Sequence, residues 1–401
     1  SPPGRWPADA PCADAPRYVR VAKRAEASEP LAQGAVICKH RPILGKTLPR
    51  RLPAIADILW HCTFAIRFQL TDQSTPSAPS TPFGVPHTNH PTVRLVGVGH
   101  VALDHVFDVD ALPVSPTKMA AHQYRRWVGG MTANAVVAAS RLGALASMVA
   151  PVADDEALPV IRTLLQAEGV QAQGLRPVPG ARHSVSVILV DAAGERTIVS
   201  RRSDAGMRAG ALDLRCLDGA DVLLTDPRFV DWAYAALVAA RQRGLLSILD
   251  ADVAPPEDLR RLVGLAQWAV FSEPGLQAYV NADPTASERP QGKGDLMHQG
   301  LGQALSAGAQ VAVVTLGPQG LMWQRQGMTV RSMAAHPVQR VVDTTAAGDV
   351  FHGALGVALA RGFSDEDALR WASKAASLKC AHPGGVLGAP THDEMKEAKE
   401  A

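Results

Sequence analysis

From residue 92 onward, short apolar runs alternate with helical patterns, and this alternation leaves few folds open to the chain. The apolar runs stand at residues 94–98, 147–152, 222–225, 247–250, 268–271 and 311–316. Helical spacing of apolar residues occurs in Thr132–Leu142, Asp155–Glu168, Asp231–Arg243, Pro256–Leu265 and Leu296–Ala307. Continuous apolar runs are typical of strands that are buried on both faces. The pattern therefore predicts an α/β fold with a doubly wound, mostly parallel sheet flanked by helices.

Two segments interrupt this alternation early in the domain. Residues 104–128 are polar and extended, and residues 183–200 have the pattern of two strands around a turn that contains glycine. Both segments fall between the main strands. We predict that they form a small β-sheet that projects from the α/β body beside the carboxyl ends of its strands, where it can act as a lid.

Residues 1–91 differ in composition from the rest of the chain. They are rich in proline, show little strand–helix alternation, and end in a Pro/Ser-rich stretch at 71–91 that is typical of a linker. We predict that residues 1–91 are a poorly ordered extension and linker. Residues 92–401 then form the functional domain.

The overall composition argues against several classes of function. A formal net charge of +2 does not favour a nucleic-acid-binding surface. No apolar run reaches the roughly 18 residues that a membrane span requires. The five cysteines form no C-x-x-C pair, which argues against a zinc knuckle or redox pair, and their odd number in a long chain favours free thiols in a reducing cytoplasm. We expect a cytoplasmic protein with neither nucleic-acid nor membrane partners, and the 13 histidines do not identify any metal ligand.

The stretch D-T-T-A-A-G-D at residues 343–349 is the most informative local motif. It follows the segment V-Q-R-V-V at 338–342, which predicts a strand, and it precedes a helical stripe. Ala346, Ala347 and Gly348 would then lie at a helix N-terminus, where free N–H groups and the helix dipole stabilise an anion. Asp349 is either a carboxylate that satisfies the helix start or a working group beside a bound phosphate. The local pattern alone leaves both interpretations open.

Other small-residue motifs follow predicted strands. Thr315, Gly317 and Gly320 follow the run at 311–316, as in a nucleotide-contacting loop or an ordinary β-turn. The pattern G-x-G-x-x-A at residues 97–102 matches a dinucleotide fingerprint, but the prolines that follow argue against the helix this fingerprint needs. The absence of a G-x-x-x-x-G-K-[ST] motif and of a G-x-S-x-G motif argues against two further enzyme classes.

Polar residues and glycines cluster where the predicted strands end. Ligands of open α/β sheets bind outside the carboxyl ends of the strands, so these residues form one candidate site. The candidates in this group are Asp104, Gly129, Gly130, Asn134 and Arg228. A Pro-Gly-Gly turn that contains Gly384 follows a late helical pattern.

Taken together, these motifs resemble the ribokinase-like (PfkB) carbohydrate kinase family over about residues 92–393. The diagnostic piece is Asp343–Asp349, which is similar to the D-T-x-[GA]-A-G-D signature of the family. The resemblance implies a ribokinase-like fold with a lid and ATP-dependent phosphorylation of a sugar hydroxyl. It also implies that Asp349 is the catalytic base, and that the backbone of Ala346, Ala347 and Gly348 binds the transferring phosphate.

The resemblance also implies ligands and partners. Thr315, Gly317, Gly320 and Gly384 would contact ATP, and Mg²⁺ would accompany the nucleotide, with a monovalent cation as a further possible cofactor. The lid sheets would pair two subunits as a homodimer. One departure concerns the metal: the N-x-x-E motif of the family, which helps to position magnesium, is absent, because Ser272 and Gly275 stand at its ends.

Within the family, the likeness extends to the sulfofructose kinases. It implies that the substrate is an anionic ketose, such as 6-deoxy-6-sulfofructose or a sugar phosphate. Lys118 and Arg228 would hold the anionic group, and Asp104, Gly129, Gly130 and Asn134 would contact the rest of the sugar. The alternatives are a kinase for a neutral sugar or a nucleoside, and a non-catalytic sugar- or nucleotide-binding regulator.

Overall fold

A computed structural model describes residues 92–192, 195–281 and 292–397 of the chain. The predicted extension and linker at residues 1–91 lie outside the described residues. Within the described ranges, no helix is both long and apolar enough to span a membrane.

The described strands are numbered in chain order. They are β1 (Arg94–Val98), β2 (Ala102–Asp108), β3 (Gln123–Gly129), β4 (Leu145–Ala153), β5 (Gln171–Val178), β6 (Val185–Val190), β7 (Arg196–Arg201), β8 (Val222–Thr225), β9 (Leu246–Ala251), β10 (Trp268–Ser272), β11 (Val311–Thr315), β12 (Leu321–Arg325) and β13 (Arg331–Met333).

The α-helices are numbered in the same way. They are α1 (Met131–Arg141), α2 (Ala157–Ala167), α3 (Ala205–Arg208), α4 (Val230–Arg243), α5 (Pro256–Leu262), α6 (Glu273–Asn281), α7 (Lys293–Ala307), α8 (Ala347–Ala360), α9 (Asp365–Cys380) and α10 (His392–Glu397).

Nine strands form the main sheet, in the order β13-β12-β11-β10-β9-β8-β1-β4-β5. The pairs from β11 to β5 are parallel, and the pairs β11–β12 and β12–β13 are antiparallel, so that among the described strands of this sheet β12 runs against the others. The sheet grows in one direction from β1 to β4 and in the other from β1 to β8. The predicted doubly wound, mostly parallel sheet is therefore confirmed, and its switch point lies beside β1, where open sheets bind ligands.

The small predicted sheet is also present. Its strands run in the order β3-β2-β6-β7, with β2 and β6 parallel and the other two pairs antiparallel. The prediction that residues 104–128 and 183–200 form strands is confirmed, except that residues 109–122 are a loop between β2 and β3.

One predicted strand is wrong. Residues 338–342 join no sheet, although their apolar pattern suggested a strand. Instead, the N–H groups of Val342 and Asp343 both donate to the carbonyl oxygen of Cys380, at 2.7 and 3.1 Å. The extended segment is therefore tied to the end of α9, a tertiary contact that local periodicity cannot reveal.

Helices α1 and α8 pack closely against each other because of a glycine. A Cβ atom placed on Gly353 would collide with the backbone of Ala135 and lie 3.2 Å from the nitrogen of Ala139. Alanine-rich α1 buries most of its length, so the two backbones can approach closely. This close approach brings the first turns of α1 and α8 together at the carboxyl edge of the sheet.

The dinucleotide fingerprint at residues 97–102 has a structural explanation instead. Strand β2, and not a helix, follows Gly99. A Cβ on Gly97 would collide with Val136 of α1, and a Cβ on Gly99 would collide with Thr132 and Asp226. These glycines let α1 lie close to β1. The helix that a dinucleotide fingerprint needs after its glycines is replaced here by β2.

Candidate active site

A buried aspartate organises the floor of the site at the ends of β1 and β8. Asp226 is fully buried, and its Oδ2 accepts from the N–H of His100 at 2.7 Å and from the hydroxyl of Thr132 at 2.5 Å. The N–H of Thr132 donates to the same oxygen at 3.2 Å. Charge-assisted hydrogen bonds of this kind are strong, so Asp226 fixes the loop after β1 against the first turn of α1.

The segment 343–349, which we call the anion cradle, leads into α8. Ala346 has φ 62° and ψ 11°, and among the described residues it is the only one other than glycine with positive φ. The first helical hydrogen bond runs from Val350 N–H to Ala346 oxygen, and Ala347 N–H donates weakly to Thr344 oxygen at 3.3 Å. The N–H groups of Gly348 and Asp349 have no acceptor among the described residues. They are the donors that a helix N-terminus offers to an anion.

Asp349 lies on the first turn of α8 and is held from the side by α1. Nδ2 of Asn134 donates to its Oδ2 at 2.7 Å. Burial, together with the nearby carboxylate of Asp250, raises the pKa of Asp349 to about 8. The hydrogen bond from Asn134 acts in the opposite direction and favours the ionised form. A carboxylate with so high a pKa can accept a proton near neutral pH.

Two more carboxylates at the end of β9 face the same region. Asp250 is almost fully buried, and its pKa is raised well above the ordinary range by burial and by the charge of Asp252. Asp252 Oδ1 accepts from the hydroxyl of Ser272 at 2.6 Å. His352, which is buried one turn after Asp349, has its Nδ1 3.6 Å from Asp250 Oδ2. Burial lowers the pKa of His352, which favours a neutral ring.

Asp343, the first residue of the cradle, accepts hydrogen bonds from three parts of the chain. Its Oδ1 accepts from Thr345 N–H at 2.8 Å and from Arg196 of β7 at 2.7 Å. Its Oδ2 accepts from the N–H groups of Gly384 and Gly385 at 3.1 and 2.9 Å. Burial alone would raise the pKa of Asp343, but these hydrogen bonds and the ammonium of Lys379 hold it at about 2.

Sequence reasoning missed Arg196 and Lys379. Arg196 donates from the small sheet to Asp343 and also to the hydroxyls of Thr344 and Thr345. It stands 147 residues before Asp343, and Lys379 follows Asp343 by 36 residues. Neither forms a local motif with D-T-T-A-A-G-D, so only the tertiary structure reveals them.

The small sheet contributes Asp104, whose carboxylate lies beside Gly129 of β3. A Cβ on Gly129 would collide with the carboxylate of Asp104, and a Cβ on Gly130, which has φ 102°, would collide with the carbonyl of His100. Close packing therefore requires glycine at both positions, which the sequence predicted as substrate-binding residues. Burial raises the pKa of Asp104 to about 6, and a hydrogen bond from Ser186 opposes the shift. The structure thus brings Asp104, Gly129 and Gly130 together.

The two predicted cations lie in different settings. Arg228 follows β8, its N–H donates to Asp226 Oδ1 at 2.8 Å, and its side-chain Nε is buried without a partner among the described residues. Lys118 is exposed in the loop between β2 and β3. Arg202 is a further cation near the site, because its charge and that of Arg228 both act on His100. Within the described ranges, no side-chain contact joins Lys118 to the other site residues.

The predicted nucleotide-contacting residues lie on the turn between β11 and β12 and on the loop after α9. Gly317, with φ 57°, has open space around its Cβ position. Gly320, with φ 88°, is a glycine because a Cβ there would collide with the backbone of β13. Thr315 is tied by its hydroxyl to the carbonyl of Phe271 at 3.3 Å, and Gly384 N–H is engaged by Asp343.

A doubly wound sheet with an anion-binding helix N-terminus beside a high-pKa carboxylate defines an α/β enzyme site for a phosphate-bearing ligand. Residues 93–392 match the model of the pfkB family of carbohydrate kinases. The chain belongs to this family. It is a carbohydrate kinase, a phosphotransferase that uses an alcohol group as the acceptor.

Known proteins similar to the chain include ribokinases and fructokinases. The ribokinase of Bacillus subtilis is 27% identical over 302 residues, which cover 75% of this chain and 97% of that protein. A solved structure from Agrobacterium tumefaciens, proposed to be a ribokinase, matches with a TM-score of 0.70 and 33% identity over 77% of this chain and 97% of that one. The ribokinase of Arabidopsis thaliana, solved with ribose and ATP, shares the fold with a TM-score of 0.65 and 22% identity, over 77% of this chain and 98% of that one.

Proposed function

We propose that the protein transfers the γ-phosphoryl group of ATP to a hydroxyl of an anionic ketose, with Asp349 as the general base. The observation that carries this proposal is the position of Asp349 on the first turn of α8, hydrogen-bonded to Asn134 and beside free N–H donors, where burial raises its pKa to about 8. Few structural roles need a carboxylate with such a pKa beside an anion site.

The reaction follows from this arrangement. The sugar hydroxyl donates its proton to Asp349 as its oxygen bonds to the γ-phosphorus, and the bond from that phosphorus to the β–γ bridging oxygen breaks to release ADP. The N–H groups of Gly348 and Asp349 face the charge on the transferring group. Phosphoryl transfer depends mainly on positioning and charge stabilisation, and the base contributes roughly 10²–10⁴-fold.

Magnesium fits the carboxylates at this edge of the sheet. No cluster of three or more metal-ligating side chains occurs among the described residues. Magnesium does not require one, because it is usually held by one or two carboxylates, by water and by the phosphates of the substrate. Asp250 and Asp252 would hold it: burial and the charge of Asp252 raise the pKa of Asp250, and a cation there would offset that charge. When bound, it would offset the negative charge of the phosphates.

The nucleotide and the sugar would enter from opposite sides of Asp349. On the nucleotide side, Gly317 leaves open space near the end of β11, and Thr315 and Gly320 shape the same turn. On the sugar side, Asp104 would accept hydrogen bonds from ring hydroxyls. The small sheet carries both Asp104 and Arg196, so we infer that it acts as a lid that orients the sugar over the cradle.

The side chain of Arg228 is evidence that the sugar carries an anionic group. Its Nε is buried and has no partner among the described residues, so a sulfonate or phosphate oxygen would satisfy it. Arg202 adds a second positive charge near His100. Lys118 was predicted to share this role, and its exposed loop would have to close over the sugar to do so. We therefore propose that Arg228, in preference to Lys118, binds the anionic group of the sugar.

One experiment tests the substrate. ATP turnover would be measured with 6-deoxy-6-sulfofructose, fructose 6-phosphate, fructose, ribose and a nucleoside, for the wild type and for Arg228→Met, Lys118→Ala and the surface control Arg215→Met. We expect the wild type to prefer an anionic ketose. Arg228→Met should lose at least about tenfold in kcat/KM for that sugar, or about 1.4 kcal/mol, and far less for fructose. A wild-type preference for a neutral sugar or a nucleoside would overturn the substrate assignment and leave the kinase class intact.

The outer face of the small sheet supports a proposal for the assembly. Tyr124, Val187 and Val199 lie on one face of this sheet and are exposed by 51%, 39% and 67%. We propose that this face pairs with a second copy of the chain as a homodimer. Light scattering of the wild type and of Val199→Lys would test it: a dimer that becomes a monomer supports the pairing, and a wild-type monomer contradicts it.

The free cysteines Cys216 and Cys380 support a cytoplasmic location.

A further inference from the structure

Lys379 is a buried charged residue that the proposed mechanism does not use. It lies in the last turn of α9, its side chain is fully buried, and its Nζ donates to the backbone oxygen of Asp343 at 2.6 Å. The same Nζ is 3.2 Å from Asp343 Oδ2. Lysine is almost never fully buried unless it is paired, so a specific interaction holds it here.

The surroundings of Lys379 explain why a cation is required at this point. The ionised carboxylate of Asp343 lies at the C-terminal end of α9, where the helix dipole is negative. The carbonyl of Cys380, the last residue of α9, accepts from the N–H groups of Val342 and Asp343 and so holds Asp343 at this negative end. Burial lowers the pKa of the Lys379 ammonium, and the Asp343 carboxylate opposes that shift. A positive charge in this position offsets negative groups that would otherwise repel one another.

Asp343 transmits this arrangement to the anion cradle. Its Oδ1 accepts from the N–H of Thr345, directly before the left-handed residue Ala346. Its Oδ2 accepts from Gly384 and Gly385, which fixes the loop after α9 against the cradle. The direction of the free N–H groups of Gly348 and Asp349 therefore depends on where Asp343 is held.

We propose that Lys379 is a built-in cation that positions Asp343 and, through it, the anion cradle for phosphoryl transfer. This inference rests on the proposed function. Lys379 is a positioning residue, because it acts through Asp343 and does not itself touch the reacting atoms. Since its ammonium already supplies the positive charge at this point, the wild-type enzyme needs no added monovalent cation there.

The geometry also defines what happens when the ammonium is removed. Lys379→Ala leaves a cavity lined by the carbonyl oxygen and the carboxylate of Asp343. A small cation such as methylammonium or K⁺ would fit the chemistry of these two oxygens. Tetramethylammonium is too large and has no N–H donor. The variant should therefore depend on an added small cation, while the wild type should not.

The test compares ATP-dependent sugar phosphorylation by the full-length wild type, Lys379→Ala, Lys379→Gln and the surface control Lys396→Ala. Each is assayed in methylammonium, potassium or tetramethylammonium chloride at one ionic strength. We expect Lys379→Ala to lose about 10²-fold in kcat, the scale expected for a misplaced catalytic geometry, with little change in the sugar KM. Methylammonium or K⁺ should raise the kcat of Lys379→Ala at least about tenfold. Lys379→Gln, which keeps a donor but not the charge, should stay impaired.

Thermal unfolding gives a second readout that does not depend on activity. Methylammonium or K⁺ should raise the melting temperature of Lys379→Ala above its value in tetramethylammonium, and should leave that of the wild type unchanged. Full activity of Lys379→Gln, or a Lys379→Ala variant that small cations affect neither in kcat nor in melting temperature, would overturn the inference. A wild type that phosphorylates no sugar would overturn the proposed function instead, so the two failures are distinguishable.

Discussion

Nδ2 of Asn134 donates a 2.7 Å hydrogen bond to Oδ2 of Asp349, although the two residues stand 215 positions apart in the chain. The contact exists because α1 and α8 pack closely through Gly353. It lowers the pKa of Asp349, whereas burial and Asp250 raise it. The ionisation of the proposed base is therefore set by residues on two helices and one strand.

The pH dependence of the reaction follows from this balance. The base must be ionised to accept a proton, so activity rises with pH through the pKa of Asp349. In the wild type, the acid limb of the kcat/KM profile should lie well above the value of about 4 of an ordinary aspartate. Asn134→Ala removes a stabiliser of the ionised form and should move the limb to higher pH by about one unit. Asn281→Ala, at the exposed end of α6, should leave the profile unchanged. A limb that moves to lower pH in Asn134→Ala would contradict this account.

Substitution of Gly348 should affect stability and activity in opposite directions. An ideal Cβ at this position meets no atom within 4 Å, so Gly348→Ala has room in the ligand-free protein. Alanine in a helix stabilises by about 0.5–1 kcal/mol relative to glycine. The added methyl group would, however, occupy the space in front of the N–H donors that a phosphate needs.

We therefore expect Gly348→Ala to keep or raise the melting temperature and to lower kcat/KM at least about tenfold. The matched control is Gly302→Ala in α7, where a Cβ also meets no atom within 4 Å. It should show the same gain in stability with full activity. Full activity of Gly348→Ala would show that phosphate does not approach this backbone.

Ala346 stores strain at the entry to α8. Its φ of 62° is left-handed, a conformation that costs a residue with a Cβ about 1–2 kcal/mol. Ala346→Gly should remove this strain and raise the melting temperature by about 1–3 °C, after the greater freedom of glycine in the unfolded chain is subtracted. Ala347→Gly, one residue later and inside the helix, should lower it instead. Differential scanning calorimetry of both variants checks the opposite signs, and a lower melting temperature for Ala346→Gly would contradict the strain.

Local periodicity predicted the parallel strands and the main helices because burial on both faces of a sheet leaves continuous apolar runs. The start of α9 is also a local feature, because Ser364 Oγ accepts from the N–H of Asp367, three residues later, at 3.2 Å. The same reasoning failed at residues 338–342. There Val341 is 58% exposed, the segment has no strand partner, and its backbone bonds to Cys380.

The site could be predicted only where its residues form one local motif. Asp349 and the cradle lie within seven consecutive positions, and their helix-start pattern is visible in the sequence. Arg196 and Lys379 reach the cradle from distant elements, and their roles depend on how β7 and α9 pack. Whether a glycine packs closely or faces a ligand is also a tertiary property: Gly129 packs against Asp104, while Gly348 faces open space.

Turnover by Asp349→Asn tests the central claim most directly. Asparagine keeps the size of the side chain and removes only its capacity to take the proton. We expect kcat for sugar phosphorylation to fall by about 10²–10⁴-fold, while the Kd for ATP, measured by calorimetry, stays close to that of the wild type. Turnover near the wild-type rate would contradict the assignment of Asp349 as the general base.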